Sequence, residues 1–220
     1  MFNAIVPLST IWASKLKLNF DRGFAITPCV HKPFAKYRDM AFSNTISDTV
    51  TLSTFHGCPP DEIERITKYL LNECGLDVIV KLNPTLLGEA KVREILHDQL
   101  GYTDLRLIPQ SFVDDLQFDR AVELISELRG FAEGLGRKFG IKLTNTMIVE
   151  NHKQWMPEEQ MYMSGPPLHA LAISLLGELT KAMPKVLAVG NEGGDTQVSF
   201  SAGITKTNIA DSVGLGLSPT

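Results

Sequence analysis

Cysteine is scarce in this sequence: only Cys29, Cys58 and Cys74 occur in 220 residues. Three scattered cysteines do not make a disulfide framework, which favours a reducing compartment, and we expect a cytoplasmic protein. Runs of lysine and arginine are also missing, and the formal net charge is -4. Because nucleic acids bind to clustered positive charge, we expect no nucleic acid partner.

Long apolar segments are missing as well. The longest one near the start, residues 4–13, is interrupted by Pro7, Ser9 and Thr10 and has no basic segment before it. We therefore expect no signal peptide and no membrane span. With 44% apolar and 21% charged residues, the composition is that of a globular protein with one sizeable core.

Short apolar runs alternate with segments of helical periodicity along most of the chain. The predicted strands are 50–54, 78–82, 105–108, 140–145 and 198–201. The predicted helices are 60–72, 89–100, 119–138, 166–183 and 208–215, with Thr207 capping the last one. Because most of the strands are apolar without alternation, this order predicts an α/β fold with a parallel sheet covered by helices.

The two ends of the chain depart from this rhythm. Residues 1–48 have no clear period and predict an irregular lead-in or covering segment, which leaves 49–220 as the folded domain. Residues 215–220 read as a loop that leads to a further strand. We therefore expect the chain to be part of a larger protein, with unpaired sheet edges near Val50 and Val198.

The most informative stretch is TLSTFHGCPP at residues 51–60, which reads as the end of a buried strand that turns into a helix. Pro60 suits a first helical turn because proline needs no amide partner there. Proteins of the α/β class bind ligands at the carboxyl ends of their strands. This turn presents four reactive side chains at such an end: Ser53, Thr54, His56 and Cys58.

Five motifs follow one another in the chain: TLSTFHGCPP at 51–60, KLNPTLLG at 81–88, KLTNT at 142–146, MYMSG at 161–165 and SAG at 201–203. Together they resemble the barrel domain of the selenate reductase flavin/iron-sulfur subunit family, which is similar to dihydropyrimidine dehydrogenase and, more distantly, to dihydroorotate dehydrogenase. The resemblance covers roughly residues 50–220. It implies a partial (β/α)8 TIM barrel, incomplete at both ends, that binds flavin mononucleotide (FMN) at the ends of its strands.

The resemblance also implies which residues bind the cofactor. Lys81 matches the lysine that hydrogen-bonds the flavin ring, where a cation stabilises the reduced state. Thr144 and Asn145 match a Thr-Asn pair that holds flavin and substrate. Backbone amides of four residues would cradle the phosphate, with glycine permitting close approach: Ser164, Gly165, Ala202 and Gly203.

Two threonines depart from the family pattern. Thr54 stands where the family has a Cys or Ser that acts as acid and base, and Thr51 stands where it has a substrate-binding Asn. Ser53 and Asn83 complete the implied substrate set. A threonine hydroxyl is a poor proton donor without an activating partner, so the departures argue against pyrimidine reduction. Cys58, four positions after Thr54, offers an alternative thiol.

The implied function is an FMN-dependent, iron-sulfur-linked oxidoreductase that passes electrons from a nicotinamide or ferredoxin donor to a small-molecule acceptor. Since no cysteine-rich run occurs in the sequence, iron-sulfur clusters and NAD(P)H would belong to the remainder of a larger polypeptide or to a redox partner subunit. The alternative is a non-catalytic barrel that has lost its proton donor and serves as an electron relay or interaction scaffold.

Simpler interpretations remain for several of these residues. Lys81 could extend from the barrel rim to solvent, and the Ser164-Gly165 pair could be an ordinary helix entry. The glycine-rich segment 190–195 predicts a surface turn rather than a nucleotide loop. A zinc site formed by Cys29, His31, His56 and Cys58 has atypical spacing, so we expect no metal.

Overall fold

A four-stranded parallel sheet organises the residues that the computed structural model describes, which are 47–54, 56–189, 193–201 and 203–217. The predicted lead-in lies outside these ranges up to residue 46. None of the helices in the described ranges combines the length and the apolar character that crossing a bilayer requires.

The strands are β1 (Thr49–Ser53), β2 (Asp77–Leu82), β3 (Phe139–Leu143), β4 (Met147–Glu150), β5 (Gln160–Met163) and β6 (Gln197–Phe200). The helices are α1 (Pro60–Asn72), α2 (Glu89–Arg93), α3 (Pro109–Asp114), α4 (Phe118–Gly134), α5 (Pro166–Ala182) and α6 (Ile209–Gly214). A 3-10 turn at Pro84–Leu87 follows β2, and a π-helical turn at Glu94–Gln99 continues α2.

The main sheet has the strand order β1, β2, β3, β6, and every neighbouring pair is parallel. This arrangement confirms the predicted parallel sheet. It also confirms that the four strands leading into motifs 51–60, 81–88, 142–146 and 201–203 are neighbours in it. The sheet does not close within the described ranges, where β1 and β6 are its edges. The architecture is therefore that of a partial (β/α) barrel.

The two faces of this sheet differ in chemistry because side chains alternate along each strand. One face, which we call the outer face, carries the buried apolar residues and packs against helices α1, α4 and α5. Val80, Ile141 and Val198 lie on it, each at most 2% exposed. The opposite inner face carries polar and charged residues, among them Lys81 and Lys142, which are paired in the β2–β3 register. The sheet thus turns its polar side toward the barrel interior.

An antiparallel hairpin of β4 and β5 stands beside the main sheet, and the sequence interpretation missed it. Its strand β4 begins only four residues after β3 ends, so the sequence pattern predicts no separate strand at 147–149. The hairpin has its own apolar core with α2, the π-helical turn and the start of α5. Met147, Val149 and Leu168 are each at most 4% exposed there.

The predicted strand at 105–108 is wrong. The segment makes only one isolated antiparallel bridge, between Leu107 and Val149, and a hydrogen bond from the Glu150 amide to the Arg106 carbonyl. It therefore lies beside the hairpin and outside the main sheet, where β2 pairs directly with β3. Pro109 ends the extended segment because it lacks an amide donor and begins helix α3.

Two helix ends also needed correction. Helix α4 stops at Gly134 rather than at residue 138, and Leu135, which follows it, is 40% exposed. The amides of Gly136 and Arg137 donate to the carbonyls of Glu133 and Ala132, which is a Schellman motif with Gly136 at a φ of 66°.

At the last helix, Thr207 is not the cap. Asn208 precedes α6, and its side chain accepts a hydrogen bond from the Thr205 amide and donates one to the Gly203 carbonyl. Asn208 thereby ties the helix start to the loop after β6.

We predict opposite effects for two glycine substitutions at α4. Gly136→Ala should lower the free energy of unfolding by about 1–2 kcal/mol, because alanine in the left-handed region is strained. Gly130→Ala, in the exposed middle of the same helix with open space around it, should raise that free energy by about 0.5–1 kcal/mol. Urea unfolding of both variants measures this, and effects of the same sign would contradict it.

Candidate functional site

The carboxyl ends of β1, β2 and β3 are joined by the side chain of Asn145, which lies two residues past β3. Its Nδ2 atom is 3.3 Å from the Thr54 carbonyl oxygen, 3.2 Å from the Lys81 carbonyl oxygen and 2.7 Å from Asn83 Oδ1. The Asn145 amide also donates to the Leu82 carbonyl at 2.7 Å. One asparagine therefore fixes the relative positions of three strand ends, which is the expected place for a ligand site in this fold.

The orientation of two side-chain amides follows from these contacts. Because the Thr54 and Lys81 carbonyls only accept hydrogen bonds, the Asn145 side chain must present its NH2 group to them. Asn83 must then turn its oxygen toward Asn145. Its Nδ2 atom accordingly donates to Asp115 Oδ2 at 3.0 Å.

Asp115, at the end of α3, is the centre of the polar network. Its side chain is 1% exposed, and it accepts four hydrogen bonds. Asn83 Nδ2, Thr85 Oγ1 at 2.6 Å and His56 Nδ1 at 2.7 Å all donate to Oδ2, whereas the Gly57 amide donates to Oδ1 at 2.6 Å. A buried carboxylate needs such donors because it has lost its hydration.

His56 is held between two acceptors. Its Nδ1 atom donates to Asp115 Oδ2, and its Nε2 atom donates to the Thr146 carbonyl oxygen at 2.9 Å. Since neither partner offers a hydrogen, both ring nitrogens carry protons and the side chain is an imidazolium ion. The turn at 56–57 is thereby clamped to the segment that follows β3.

The electrostatics agree with this arrangement. Burial disfavours the charged ring of His56, but the hydrogen bond to Asp115, the charge of that carboxylate and the bond to Thr146 together raise the His56 pKa above its usual value. For Asp115, burial acts to raise the pKa, yet the donors His56, Thr85 and Gly57 and the charge of His56 bring it below its usual value. The pair is therefore ionised on both sides.

Lys81 lies on the inner face of the sheet, at the register position next to Lys142 of β3. Both side chains are half-buried. Burial lowers the pKa of the Lys81 ammonium, and the positive charge of Lys142 lowers it further. No carboxylate of the described residues forms an ion pair with either lysine.

Two buried hydroxyl groups near the same strand ends have no hydrogen-bond partner within the described part of the chain. One is Oγ1 of Thr144, a residue that is 1% exposed and precedes Asn145. The other is Oγ of Ser199 in β6, which is paired with Lys142 in the β3–β6 register. The Thr144 carbonyl accepts a hydrogen bond from Ser201 Oγ at 2.6 Å, which joins the ends of β3 and β6. The Thr144 side chain itself is left with unused donor and acceptor capacity.

The two predicted phosphate motifs meet in space. A Cβ atom built on Gly203 would lie 2.8 Å from the Gly165 carbonyl oxygen and 2.4 Å from His169 Cβ. The loop after β6 therefore touches the start of α5 at a point that only glycine allows. Pro166 begins α5 and Pro167 follows it, so this helix start offers fewer amide donors than a usual anion site. Ala202 lies outside the described residues.

The remaining predicted residues separate into two groups. Thr51 and Ser53 lie exposed on β1, in the register rows of Ile79 and Lys81, while Thr54 is half-buried just beyond the strand. Cys58 points into the apolar core and is 4% exposed. Cys58 lines a small cavity with Thr54 and Lys81 at the strand ends. Burial, followed by the charge of Glu62, raises the pKa of its thiol, so Cys58 is not a reactive thiolate there.

The β4–β5 hairpin borders the network. The Tyr162 ring of β5 stacks on His56, with centroids 6.3 Å apart. Tyr162 also lines a cavity of about 360 Å³, together with Trp155, Met161 and Met163 of the hairpin segment and Ser164 beyond it. The cavity lies on the hairpin, away from the inner face of the sheet.

Sequence interpretation missed Asp115 and Lys142. Asp115 follows the six-residue helix α3, in the stretch between the predicted strand 105–108 and the predicted helix 119–138, where no local pattern marks it. Lys142 stood inside the quoted KLTNT motif, but its partnership with Lys81 depends on strand register. Both His56 ring nitrogens are occupied, and the described residues contain no group of three or more metal-ligating side chains.

The fold and the site define a TIM-barrel domain whose polar residues gather at the carboxyl ends of parallel strands. The chain belongs to the family described as "Oxidoreductase YgfK, N-terminal TIM-barrel domain", whose model matches residues 25–220. It is 45% identical over 165 residues to the proteins named "Putative oxidoreductase YgfK" of Escherichia coli K12 and of Escherichia coli O157:H7.

These alignments cover 73% of this chain and 16% of each relative, so the chain matches a small part of the length of its curated relatives. No solved structure matches it. The family match includes part of the predicted lead-in, since it begins at residue 25.

We predict that Asp115→Asn lowers the free energy of unfolding by about 3–5 kcal/mol, because it removes one partner of a buried ion pair and sets an amide donor against other donors. Asp114→Asn is the matched control. It makes the same change at the neighbouring, exposed position and should shift stability by less than about 0.5 kcal/mol. Equal losses in the two variants, measured by urea unfolding, would show that the network does not stabilise the fold.

The His56–Asp115 pair also predicts a pH dependence. The raised pKa of His56 means that its contribution is complete below about pH 6.5 and is lost as the pH rises through the raised value. The lowered pKa of Asp115 means that its contribution is complete above about pH 3.9 and is lost as the pH falls through the lowered value.

The difference in unfolding free energy between the wild type and His56→Gln should therefore be largest at mildly acidic pH and shrink at alkaline pH. His152→Gln, at an exposed histidine of the hairpin connection, is the control for the loss of one imidazole. A constant difference for His56→Gln from pH 5 to pH 9 would show that His56 is not charged in the folded state.

Proposed function

We propose that this domain binds FMN at the carboxyl ends of β1, β2, β3 and β6, as part of a cytoplasmic, iron-sulfur-linked oxidoreductase. The observation that carries the proposal is the half-buried Lys81 ammonium, which has no ion-pair partner in the described residues and lies beside the strand ends that Asn145 joins. A cation in that position favours a ligand that gains negative charge.

The residues present fit such a group in three respects. The Thr144 hydroxyl is buried without a hydrogen-bond partner, which leaves a donor and an acceptor for a ligand. Asn145 uses its NH2 group on the strand ends and keeps Oδ1 for another donor. The contact between Gly203 and Gly165 brings together the two segments whose amides would bind the phosphate.

Each residue has a distinct part in this proposal. Lys81 binds the electron-rich edge of the ring, Thr144 and Asn145 orient the ring, and the amides of Gly165 and Gly203 bind the phosphate. Asp115 and His56 hold the strand ends in place through their hydrogen bonds and do not contact the ligand. When bound, FMN would supply the ability to accept and donate electrons.

Neither Thr54 nor Cys58 is well placed to transfer a proton to a substrate in this domain. Thr54 stands near the proposed site, but no described residue forms a hydrogen bond that would activate its hydroxyl. Cys58 lies in the apolar core with a raised pKa. These observations favour, as a second candidate, an electron relay that receives and passes electrons without protonating a substrate.

We propose the electron donor and the electron acceptor for the whole protein, of which this domain is a part. Because the chain matches only 16% of the length of its relatives, we propose that iron-sulfur clusters and NAD(P)H are bound by the remainder of a larger polypeptide or by a redox partner subunit. Thr51, Ser53 and Asn83 are the residues we assign to a small-molecule acceptor. Asn83 is already engaged with Asp115 and Asn145, so its part is to shape the site.

We predict that Lys81→Met weakens the binding of reduced FMN by about tenfold or more, because it removes a hydrogen bond to a charged group and keeps the apolar stem. The reduction potential of bound FMN should fall with it. Thr54→Ala should leave FMN affinity within about twofold, since a hydroxyl at the substrate side does not hold the cofactor. Titration of oxidised and reduced FMN, followed by absorbance, measures all three.

The wild-type result decides the proposal first. Protein that is purified colourless and does not bind added FMN would contradict the proposed function. Equal affinity and potential in wild type and Lys81→Met would remove Lys81 from the site while leaving a flavin protein. Lys138→Met, an exposed lysine just before β3, serves as the control for loss of one positive charge.

A further inference from the structure

Two lysines lie side by side on the inner face of the sheet, at the level where the strands end. Lys81 follows the outward-facing Val80, and Lys142 follows the outward-facing Ile141, so alternation directs both lysines away from the helices. The β2–β3 register pairs them directly. Adjacent strands are about 4.8 Å apart, so two positive charges share one small region of the barrel interior.

This arrangement is unfavourable without an anion. Like charges on directly paired positions repel, and partial burial removes water that would screen them. The neighbours in the same register row are Ser53 on β1 and Ser199 on β6, neither of which carries a charge. Asp115, the buried carboxylate near the strand ends, is already occupied by four donors.

Ser199 supplies a second, independent observation. It is 2% exposed, and its hydroxyl has no hydrogen-bond partner among the described residues. Since a buried hydroxyl normally has a partner, the Ser199 hydroxyl is available to bond a ligand atom. Ser199 lies next to Lys142 in the β3–β6 register, so the unused hydroxyl and the two ammonium groups belong to one row.

We propose that Lys81 and Lys142 together bind one anionic group whose negative charge is shared by two heteroatoms, with the Ser199 hydroxyl as an additional donor. Two ammonium groups on adjacent strands suit the two oxygens of a carboxylate or of an inorganic oxyanion. The same chemistry occurs in an acidic substrate and at the electron-rich edge of reduced FMN. Burial, followed by the positive charge of Lys142, lowers the pKa of Lys81 when no anion is bound.

Sulfate and phosphate, added to flavin-free protein, are the probes for this site. Binding is measured by calorimetry at constant ionic strength against chloride, at concentrations below those that stabilise proteins in general. We expect sulfate to bind the wild type and Lys142→Met to weaken this binding by about tenfold or more. Lys142→Arg keeps the charge and should stay within about threefold of the wild type, and Lys138→Met should leave binding unchanged.

A stability measurement separates a ligand site from a merely structural lysine. In chloride, Lys142→Met should be at least as stable as the wild type, because it relieves the repulsion of Lys81. Sulfate should then stabilise the wild type and not the variant. If Lys142→Met does not fold, Lys81→Met and Lys142→Gln provide the same comparison. Sulfate binding that is equal in wild type and all these variants, or absent from the wild type, overturns the proposal.

A competition experiment identifies which anionic group the two lysines bind. If sulfate competes with reduced FMN, the pair binds the flavin edge; if both bind together, the pair serves an acidic substrate. Either result supports the two-lysine site. The inference does not rest on the proposed function, because protein that binds no FMN would contradict that function and leave the sulfate measurements valid.

Discussion

The Asp115 carboxylate is the interaction on which the arrangement of the strand ends depends. It accepts hydrogen bonds from four residues: His56, Gly57, Asn83 and Thr85. Asn83 in turn accepts a hydrogen bond from the Asn145 side chain, so Asn145 is also held in place. The negative charge is stable at this buried position only because every donor is present and His56 is protonated. Three connections that are distant in sequence are therefore held in one geometry by a single group.

The sheet divides structural and functional demands between its faces. The outer face packs apolar side chains against three helices, which provides most of the burial. The inner face carries Lys81 and Lys142 in adjacent positions, an arrangement that costs stability unless an anion is bound. Residues that weaken a fold in this way are typical of sites where a ligand completes the electrostatics.

The domain is one part of a longer family architecture. Its relatives in Escherichia coli are far longer than the matched segment, and the residues described here offer electrostatic and hydrogen-bonding groups but no redox group of their own. The buried Cys58 and the unactivated Thr54 set this barrel apart from one that delivers a proton through a strand-end thiol. These residues are compatible with the proposed electron transfer through a bound cofactor.

The sequence alone determined the parallel sheet, its four main strands and helices such as α1 and α5, because apolar runs and helical periodicity are local properties. Its motifs also identified Lys81, Thr144 and Asn145 near the strand ends. Only the tertiary structure decided that Asp115 organises the site, that Cys58 faces the core, and that Lys142 lies beside Lys81. These facts depend on strand register and on contacts between residues about thirty to ninety positions apart, such as Asp115 with Asn83 and Asn145 with Thr54, which no local pattern encodes.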